Sequence, residues 1–108
     1  MQPKLDEGDL VVKGKRGLDS FPNSDLEELL VRNGIETVAI GGFLTSCCVE
    51  STMRTAYEKG YNVVTLTDCT ADTNLGAYEA ATAGTFKLFS TPMTKDSFSA
   101  KYLGKSML

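Results

Sequence analysis

The sequence predicts an α/β layered domain with a mainly parallel sheet. Short segments rich in β-branched and apolar residues alternate with segments of helical periodicity, and the connections between them are short. The clearest strand is Tyr61–Thr67, and the clearest helix extends from about Cys47 to Lys59. On that helix Glu50, Arg54 and Glu58 form an i,i+4 charge ladder opposite an apolar stripe, which is typical of a helix packed on a sheet.

The amino-terminal third of the chain predicts one strand and one helix. Residues 1–8 are polar and have no periodicity, so we expect a loop there. Leu10–Val12 is a short apolar run and is predicted as a strand. Ser24 and Glu27 have the spacing of a capping box, which predicts a helix that ends at Asn33–Gly34.

The rest of the chain continues the alternation. Ile35–Ile40 is predicted as a strand that Gly41–Gly42 breaks, and Thr45 and Ser46 are expected to cap the helix that follows. No repeat or linker interrupts the sequence, so residues 1–108 are expected to form a single domain. The later predicted elements are a loop at 68–74, a helix at Leu75–Ala83, a short strand at Phe86–Phe89, a turn at Thr91–Pro92 and a terminal helix at Thr94–Leu103.

Composition and charge exclude several classes of partner. The 108 residues include 11 basic and 14 acidic side chains, for a net charge of −3, so no basic surface for nucleic acid or anionic lipid is expected. The longest nearly apolar run, Val38–Leu44, is too short to cross a bilayer, and no leader pattern follows Met1. We therefore expect no membrane or nucleic-acid partner.

The cysteine and histidine counts limit the chemistry. The chain has no histidine, which excludes histidine dyads and histidine metal ligands. Cys47, Cys48 and Cys69 are an odd number and contain no C-x-x-C pair, so neither a zinc site nor a thioredoxin motif is expected. They predict free thiols in a reducing compartment, the cytoplasm, and a protein without metal or cofactor.

One segment is suited to nucleophilic chemistry. A predicted strand, two glycines and residues 43–48 open directly into a helix. Ligands of parallel α/β sheets bind at the carboxyl ends of the strands, and a cysteine at a helix amino terminus is favoured as the thiolate. The helix amides are also able to bind an oxyanion. The more frequent alternative is that such a cysteine is a small buried core residue.

The same segment resembles the isochorismatase-like cysteine hydrolases, a family that includes nicotinamidases and related amidases. The family pattern T-x-x-C-V-x-x-T-x-R-x-A, followed by G-Y and a strand ending in Asp, is matched at every fixed position. The resemblance covers about Gly8 to Thr94 and implies a three-layer α/β/α, Rossmann-like fold. The matching residues are Thr45, Cys48, Val49, Thr52, Arg54, Ala56, Gly60, Tyr61 and Asp68.

The resemblance also implies roles for individual residues. Cys48 corresponds to the nucleophile that forms a thioester with a small-molecule amide. The partner lysine is Lys15, or Lys13 if the register differs. A cis peptide is implied between Phe43 and Leu44, which would direct the amides of Leu44 and Cys48 at the oxyanion. Phe21, Phe43 and Leu44 are candidate walls of the substrate pocket, although core packing is the more frequent role for apolar residues. Asp68 is interpreted as a group that fixes a loop.

The family's catalytic aspartate has no match in this chain. It lies on a strand that precedes the matched region, and neither Asp6 nor Asp9 follows an apolar strand. The resemblance therefore implies the carboxyl-terminal half of the domain, truncated at the amino terminus, with feeble amidase activity by itself. An alternative is a non-catalytic module that forms a homo-oligomer or pairs with a complementing chain through the open edge of Val38–Ile40. A thiol redox protein using Cys47 and Cys48 is a third possibility.

Overall fold

The sheet has three parallel strands. A computed structural model describes residues 4–103, in which β1 (Thr37–Phe43), β2 (Asn62–Ala71) and β3 (Thr91–Met93) lie in the order β1-β2-β3. Thr37 pairs with Asn62 at the start of β1, and the register shifts between Ile40 and Gly42. The predicted α/β class with a parallel sheet is confirmed.

Helices connect the strands. The terminal helix predicted at Thr94–Leu103 is present and Leu75–Ala83 is helical as predicted. None of the helices in residues 4–103 is long and apolar enough to cross a membrane. The helices are α1 (Leu26–Arg32), α2 (Glu50–Glu58), α3 (Leu75–Ala83), α4 (Thr85–Phe89) and α5 (Lys95–Phe98), with a 3₁₀ turn at Leu5–Glu7 and π-helical turns at Thr45–Val49 and Ser99–Leu103.

The central strand β2 is covered on both faces. Val63, Val64 and Thr65 are consecutive, point to alternate faces of the sheet and are all buried. Val63 belongs to the main core cluster, which includes Met53 of α2. On the opposite face, the side-chain Nδ2 of Asn62 donates to the Tyr102 hydroxyl in the turn after α5, at 3.3 Å. Helical segments therefore lie on both sides of β2, as in a three-layer domain.

Residues 10–12 do not form the predicted strand. A strand needs a neighbour for its backbone hydrogen bonds, and no strand within residues 4–103 pairs with this segment. Instead, the next amide, that of Lys13, donates to the Asp25 carboxylate at 2.8 Å, and the Lys13 carbonyl accepts from the Asp25 amide. The segment is held to the start of α1 while Leu10 and Val11 remain exposed.

Residues 85–89 form a helix where the sequence predicted a strand, and the following turn is a strand. Phe86 and Phe89 have i,i+3 spacing, so a helix places both on the side of α2. Phe86 is fully buried, Phe89 contacts Tyr57 edge to face with centroids 5.3 Å apart, and Leu88 points outward. Pro92 lies in β3, at the edge of the described sheet, a position where proline is tolerated.

Two element boundaries also differ from the prediction. β1 continues through Gly41–Gly42 to Phe43, and β2 extends to Ala71, so residues 68–71 are strand and not loop. The capping box is only partly formed. The Ser24 hydroxyl accepts from the Leu26 amide at 3.3 Å, but Glu27 forms an ion pair with Lys59 instead of capping α1.

Candidate active site

The turn that carries Cys48 begins where β1 ends. The peptide between Phe43 and Leu44 is cis, as the resemblance implied. The π-helical turn Thr45–Val49 follows at once and continues into α2. The Leu44 carbonyl accepts from the amides on either side of Cys48, those of Cys47 and Val49, each at 3.1 Å. Cys48 is half-buried at the start of a continuous helical segment, at the carboxyl end of β1.

Lys15 and Cys48 line the same cavity. This cavity, which we call the Cys48 cavity, has a volume of about 180 Å³ and is walled by the end of β1, the Cys48 turn and the loop before α1. The Lys15 ammonium donates to the Gly17 carbonyl at 2.6 Å. Lys13 is not among the lining residues, which are Lys15, Ser20, Ile40, Gly41, Gly42, Phe43, Cys48, Val49 and Thr52.

Helix α2 fixes the loop that carries Lys15. The Ser20 amide donates to the Thr52 hydroxyl at 3.0 Å, and that hydroxyl donates to the Ser20 hydroxyl at 3.2 Å. One turn further on, the Thr55 hydroxyl donates to the Asp19 carboxylate. Since α2 also follows directly from the Cys48 turn, one helix sets the positions of both walls of the cavity.

The Cys48 turn is also tied to the end of β2. The hydroxyl oxygens of Thr45 and Thr70 lie 2.8 Å apart. The amide and hydroxyl of Ser46 both donate to Oδ2 of Asp72, the amide at 2.8 Å. The predicted capping roles of Thr45 and Ser46 are therefore wrong, because their side chains bind the neighbouring strand end instead of the helix backbone. Hydrogen bonds from Ser46, and then from Thr73, lower the pKa of Asp72.

Thr70 and Asp72 were not identified from the sequence. The available signal was their position after a β-branched strand, because carboxyl ends of adjacent parallel strands converge at one edge of the sheet. The sequence predicts a loop at residues 68–74, and a loop does not indicate that these side chains lie at a strand end. The length of β2 brings both side chains to the Cys48 turn.

The predicted pocket walls are only partly brought together. Phe43 lines the Cys48 cavity and is 74% exposed, whereas Leu44 is not among the lining residues. Phe21 is buried in the core, where its ring stacks on that of Tyr61 at 6.3 Å between centroids. Phe21 instead borders a larger apolar groove next to the cavity.

That groove runs along the outer edge of β1. Within residues 4–103, β1 pairs with β2 on one side and has no strand partner on the other. The groove has a volume of about 420 Å³, and the residues that it shares with the Cys48 cavity are Lys15, Ser20, Ile40, Gly41 and Thr52. Its other walls are mainly apolar and include Val12, Phe21, Leu26, Leu30, Ile35 and Val38.

The other predicted acids and thiols lie away from the cavity lining. Asp68 accepts from the Lys95 amide at 2.9 Å and so fixes the start of α5, as expected of a loop-fixing group. Cys69 is exposed; desolvation by the strand, and then the charge and hydrogen bond of Asp68, raise the pKa of its thiol, while Lys95 opposes this. Asp9 accepts from the Lys4 amide in the amino-terminal turn. In the described part of the chain no three Cys, Asp or Glu side chains cluster as a metal site would require.

Comparison with known proteins identifies the family to which this fold belongs. The family model of the isochorismatase domain matches residues 1–97. The chain belongs to the isochorismatase family. An isochorismatase-like hydrolase from Alkaliphilus metalliredigens, whose crystal structure is known, is 33% identical and superposes with a TM-score of 0.83 over 91% of this chain and 52% of its own.

Two relatives carry names of amide-cleaving enzymes. The ureidoacrylate amidohydrolase RutB of Methylorubrum extorquens is 38% identical over 58% of this chain and 25% of its own length. Nicotinamidase 3 of Arabidopsis thaliana is 36% identical over 61% of this chain and 33% of its own. The chain spans about half the length of the curated relatives it matches, or less.

Proposed function

We propose that this isochorismatase-family domain is a cysteine hydrolase that cleaves the C–N bond of a small-molecule amide through a thioester at Cys48. The observation that carries the proposal is the Cys48 cavity at the carboxyl end of β1, which is lined by Cys48, Lys15 and Phe43, the residue that precedes the cis peptide. The names of the amidohydrolase and nicotinamidase relatives support amide substrates.

The proposed reaction has two stages. The Cys48 thiolate, stabilised by the Lys15 ammonium and the amino terminus of the helical segment, attacks the amide carbonyl carbon. The amides of Leu44 and Cys48 bind the oxyanion, the C–N bond breaks, and the amine leaves with a proton taken from water. Water then attacks the thioester carbonyl, which releases the carboxylic acid and returns the thiolate.

Proton transfer to the leaving amine is the step that residues 1–108 alone are expected to catalyse poorly. The leaving amine needs a proton donor, and the resemblance matches no aspartate of this chain to the family's acid–base residue. The absence of a general acid–base group typically costs about 10²–10⁴-fold in rate. We therefore expect feeble turnover from this chain by itself, even where Cys48 reacts readily. Measurement of amide hydrolysis at ordinary enzymatic rates would contradict this expectation.

Selective alkylation tests the nucleophile directly. The native chain is treated with iodoacetamide between pH 5 and 9, and each modified cysteine is identified by peptide mass. We expect Cys48 to react faster than Cys47 and Cys69 throughout this pH range. Cys47, its immediate neighbour, is the internal control, and Cys48→Ser is the matched variant. Equal, slow reaction of all three thiols would refute the proposal.

A second candidate function is an assembly module, which is favoured by the outer edge of β1, where no strand of residues 4–103 pairs. An open strand edge beside an apolar groove recruits another chain, either a second copy or a complementing one. Sedimentation of the native chain would then show a stable oligomer, and Ile35→Lys in the groove would dissociate it. Leu88→Lys, at an exposed site on α4 outside the groove, is the control. A monomer at all concentrations would exclude homo-oligomerisation.

A further inference from the structure

The contact between Ser46 and Asp72 lies at the centre of the proposed catalytic segment. Ser46 is between Leu44 and Cys48, the two residues whose amides are assigned to the oxyanion. Both of its donors, the amide and the hydroxyl, point to the same oxygen of Asp72. The conformation of the Cys48 turn is thus coupled to the position of a single carboxylate on the neighbouring strand end.

The Asp72 carboxylate is itself held on its other side. Its second oxygen, Oδ1, accepts from the Thr73 amide at 2.7 Å. Asp72 directly follows β2, whose last residue Ala71 is in register with Phe43 at the end of β1. Two residues after Asp72, the Asn74 side chain accepts from the Ala77 amide at 2.8 Å and so caps α3. Asp72 is therefore held between a strand and a helix and provides a fixed point for the turn.

We infer that Asp72 is a positioning residue of the hydrolase, which holds the Cys48 turn so that its amides face the carbonyl oxygen of the bound amide. This inference rests on the proposed function. Asp72 contacts no reacting atom in this arrangement; it acts only through Ser46. Without Asp72, the Ser46 amide and hydroxyl lose their acceptor, and the middle of the turn can shift although Thr45 still contacts Thr70.

Two kinds of reaction at Cys48 distinguish misplaced amides in the Cys48 turn from partial unfolding of the domain. Acylation by p-nitrophenyl acetate forms an oxyanion and needs the turn amides, whereas alkylation by iodoacetamide forms none and needs only an accessible thiolate. Misplaced amides therefore slow acylation more than alkylation. Partial unfolding changes both rates together, so the ratio of the two rates at Cys48 reports on positioning.

The experiment measures both rates at Cys48 in the full chain at pH 7, together with thermal unfolding. We expect Asp72→Ala to lower the acylation-to-alkylation ratio roughly 10- to 100-fold, the range that results from small misplacement of reacting groups. Asp72→Asn keeps an acceptor oxygen without the charge and is expected to retain most of the wild-type ratio. Asp68→Ala, four residues earlier in β2, is the matched control, because Asp68 fixes α5 and not the Cys48 turn.

Ser46→Ala provides a milder variant in case Asp72→Ala does not fold. It removes the hydroxyl bond and keeps the amide bond, so we expect a smaller fall in the ratio. Combined with Asp72→Ala, it should add nothing further, because both changes act through one contact. An unchanged ratio in Asp72→Ala or Ser46→Ala overturns the inference alone. If wild-type Cys48 is acylated no faster than Cys47, the proposed function fails, and the inference with it.

Discussion

The hydroxyl oxygens of Thr45 and Thr70 lie 2.8 Å apart and join the first residue of the Cys48 turn to the end of β2. The two residues differ in exposure. Thr45 is completely buried, whereas Thr70 is half-buried. One contact thus connects a hydroxyl that has no access to water with one that has some.

This difference predicts unequal effects of valine at the two positions. Thr70→Val leaves the buried Thr45 hydroxyl without a partner and is expected to lower the free energy of unfolding by about 1–3 kcal/mol. Thr45→Val leaves the hydroxyl of Thr70, which can bind water instead, so the expected loss of unfolding free energy is about 0.5–1.5 kcal/mol. Urea denaturation measures both, with Thr91→Val, at an exposed site on β3, as the control. Equal losses, or a larger loss for Thr45→Val, would contradict the prediction.

The Cys48 cavity predicts which lysine supports the nucleophile. Lys15 lines the cavity with Cys48, so Lys15→Met, which removes a positive charge from the wall of the space in which the anionic thiolate reacts, should slow alkylation of Cys48 at pH 7 by roughly tenfold. Lys13→Met is the matched comparison, since the described contacts of Lys13 with Asp25 use its backbone. A larger effect of Lys13→Met would transfer the role to Lys13.

Asp68 predicts the pH dependence of Cys69. Desolvation and the adjacent Asp68 carboxylate raise the pKa of the Cys69 thiol, so less thiolate is present at a given pH and alkylation of Cys69 should be slow near pH 8. Asp68→Asn removes the negative charge, which should lower the pKa of Cys69 and speed its alkylation. Asp96→Asn, an exposed acid in α5, is the control. An unchanged or slower reaction of Cys69 in Asp68→Asn would refute this account.

Ser46 predicts the titration of Asp72. Its hydroxyl is the largest cause of the lowered pKa of Asp72, so Ser46→Ala should raise that pKa toward the ordinary carboxyl value of about 3.9. In the wild type, the bond contributes stability above that value and loses it as the pH falls through the lowered pKa. Carbon-detected NMR titration of the Asp72 carboxylate measures the shift. A pKa that does not rise in Ser46→Ala would show that other donors hold the carboxylate.

The different burial of two apolar residues of α4 predicts losses of stability of very different size on truncation to alanine. Phe86 is completely buried and Leu88 is 70% exposed. Phe86→Ala should lower the free energy of unfolding by about 3–5 kcal/mol, and Leu88→Ala by less than about 0.5 kcal/mol. If Phe86→Ala does not fold, Phe86→Leu should still cost about 1–3 kcal/mol. Similar losses at both positions would indicate a strand-like arrangement in place of the helix.

The error at residues 86–89 has a physical reason. A short apolar run carries no periodicity long enough to distinguish a strand from one helical turn. The choice follows from the partner that buries it, which here is α2 and not a neighbouring strand. The strand predicted at Leu10–Val12 is absent for a different reason. High β-propensity does not produce a strand unless a neighbouring strand is available for backbone hydrogen bonds.

Gly41 shows a related limit. Gly41–Gly42 was interpreted as a strand break, yet β1 passes through both residues. A Cβ at Gly41 would lie 3.0 Å from the Cys69 carbonyl oxygen and 3.2 Å from the Cys69 Cβ, so glycine here permits close approach of β1 and β2. The sequence indicates that the backbone at Gly41 is unusual. The reason, which is the register that brings Cys69 of β2 against Gly41, is visible only in the sheet.

The sequence by itself determined the α/β class, most of the helices and the segment that opens the helix after β1, and its family resemblance led to the prediction of Cys48 as the nucleophile. These features are local, because propensity, periodicity and a contiguous motif are written in neighbouring residues. The tertiary structure alone decided that Lys15 shares a cavity with Cys48, that Asp72 holds the Cys48 turn and that the outer edge of β1 lacks a strand partner within residues 4–103. Those relationships join residues distant in the chain, and they depend on strand order and register, which local preference does not encode.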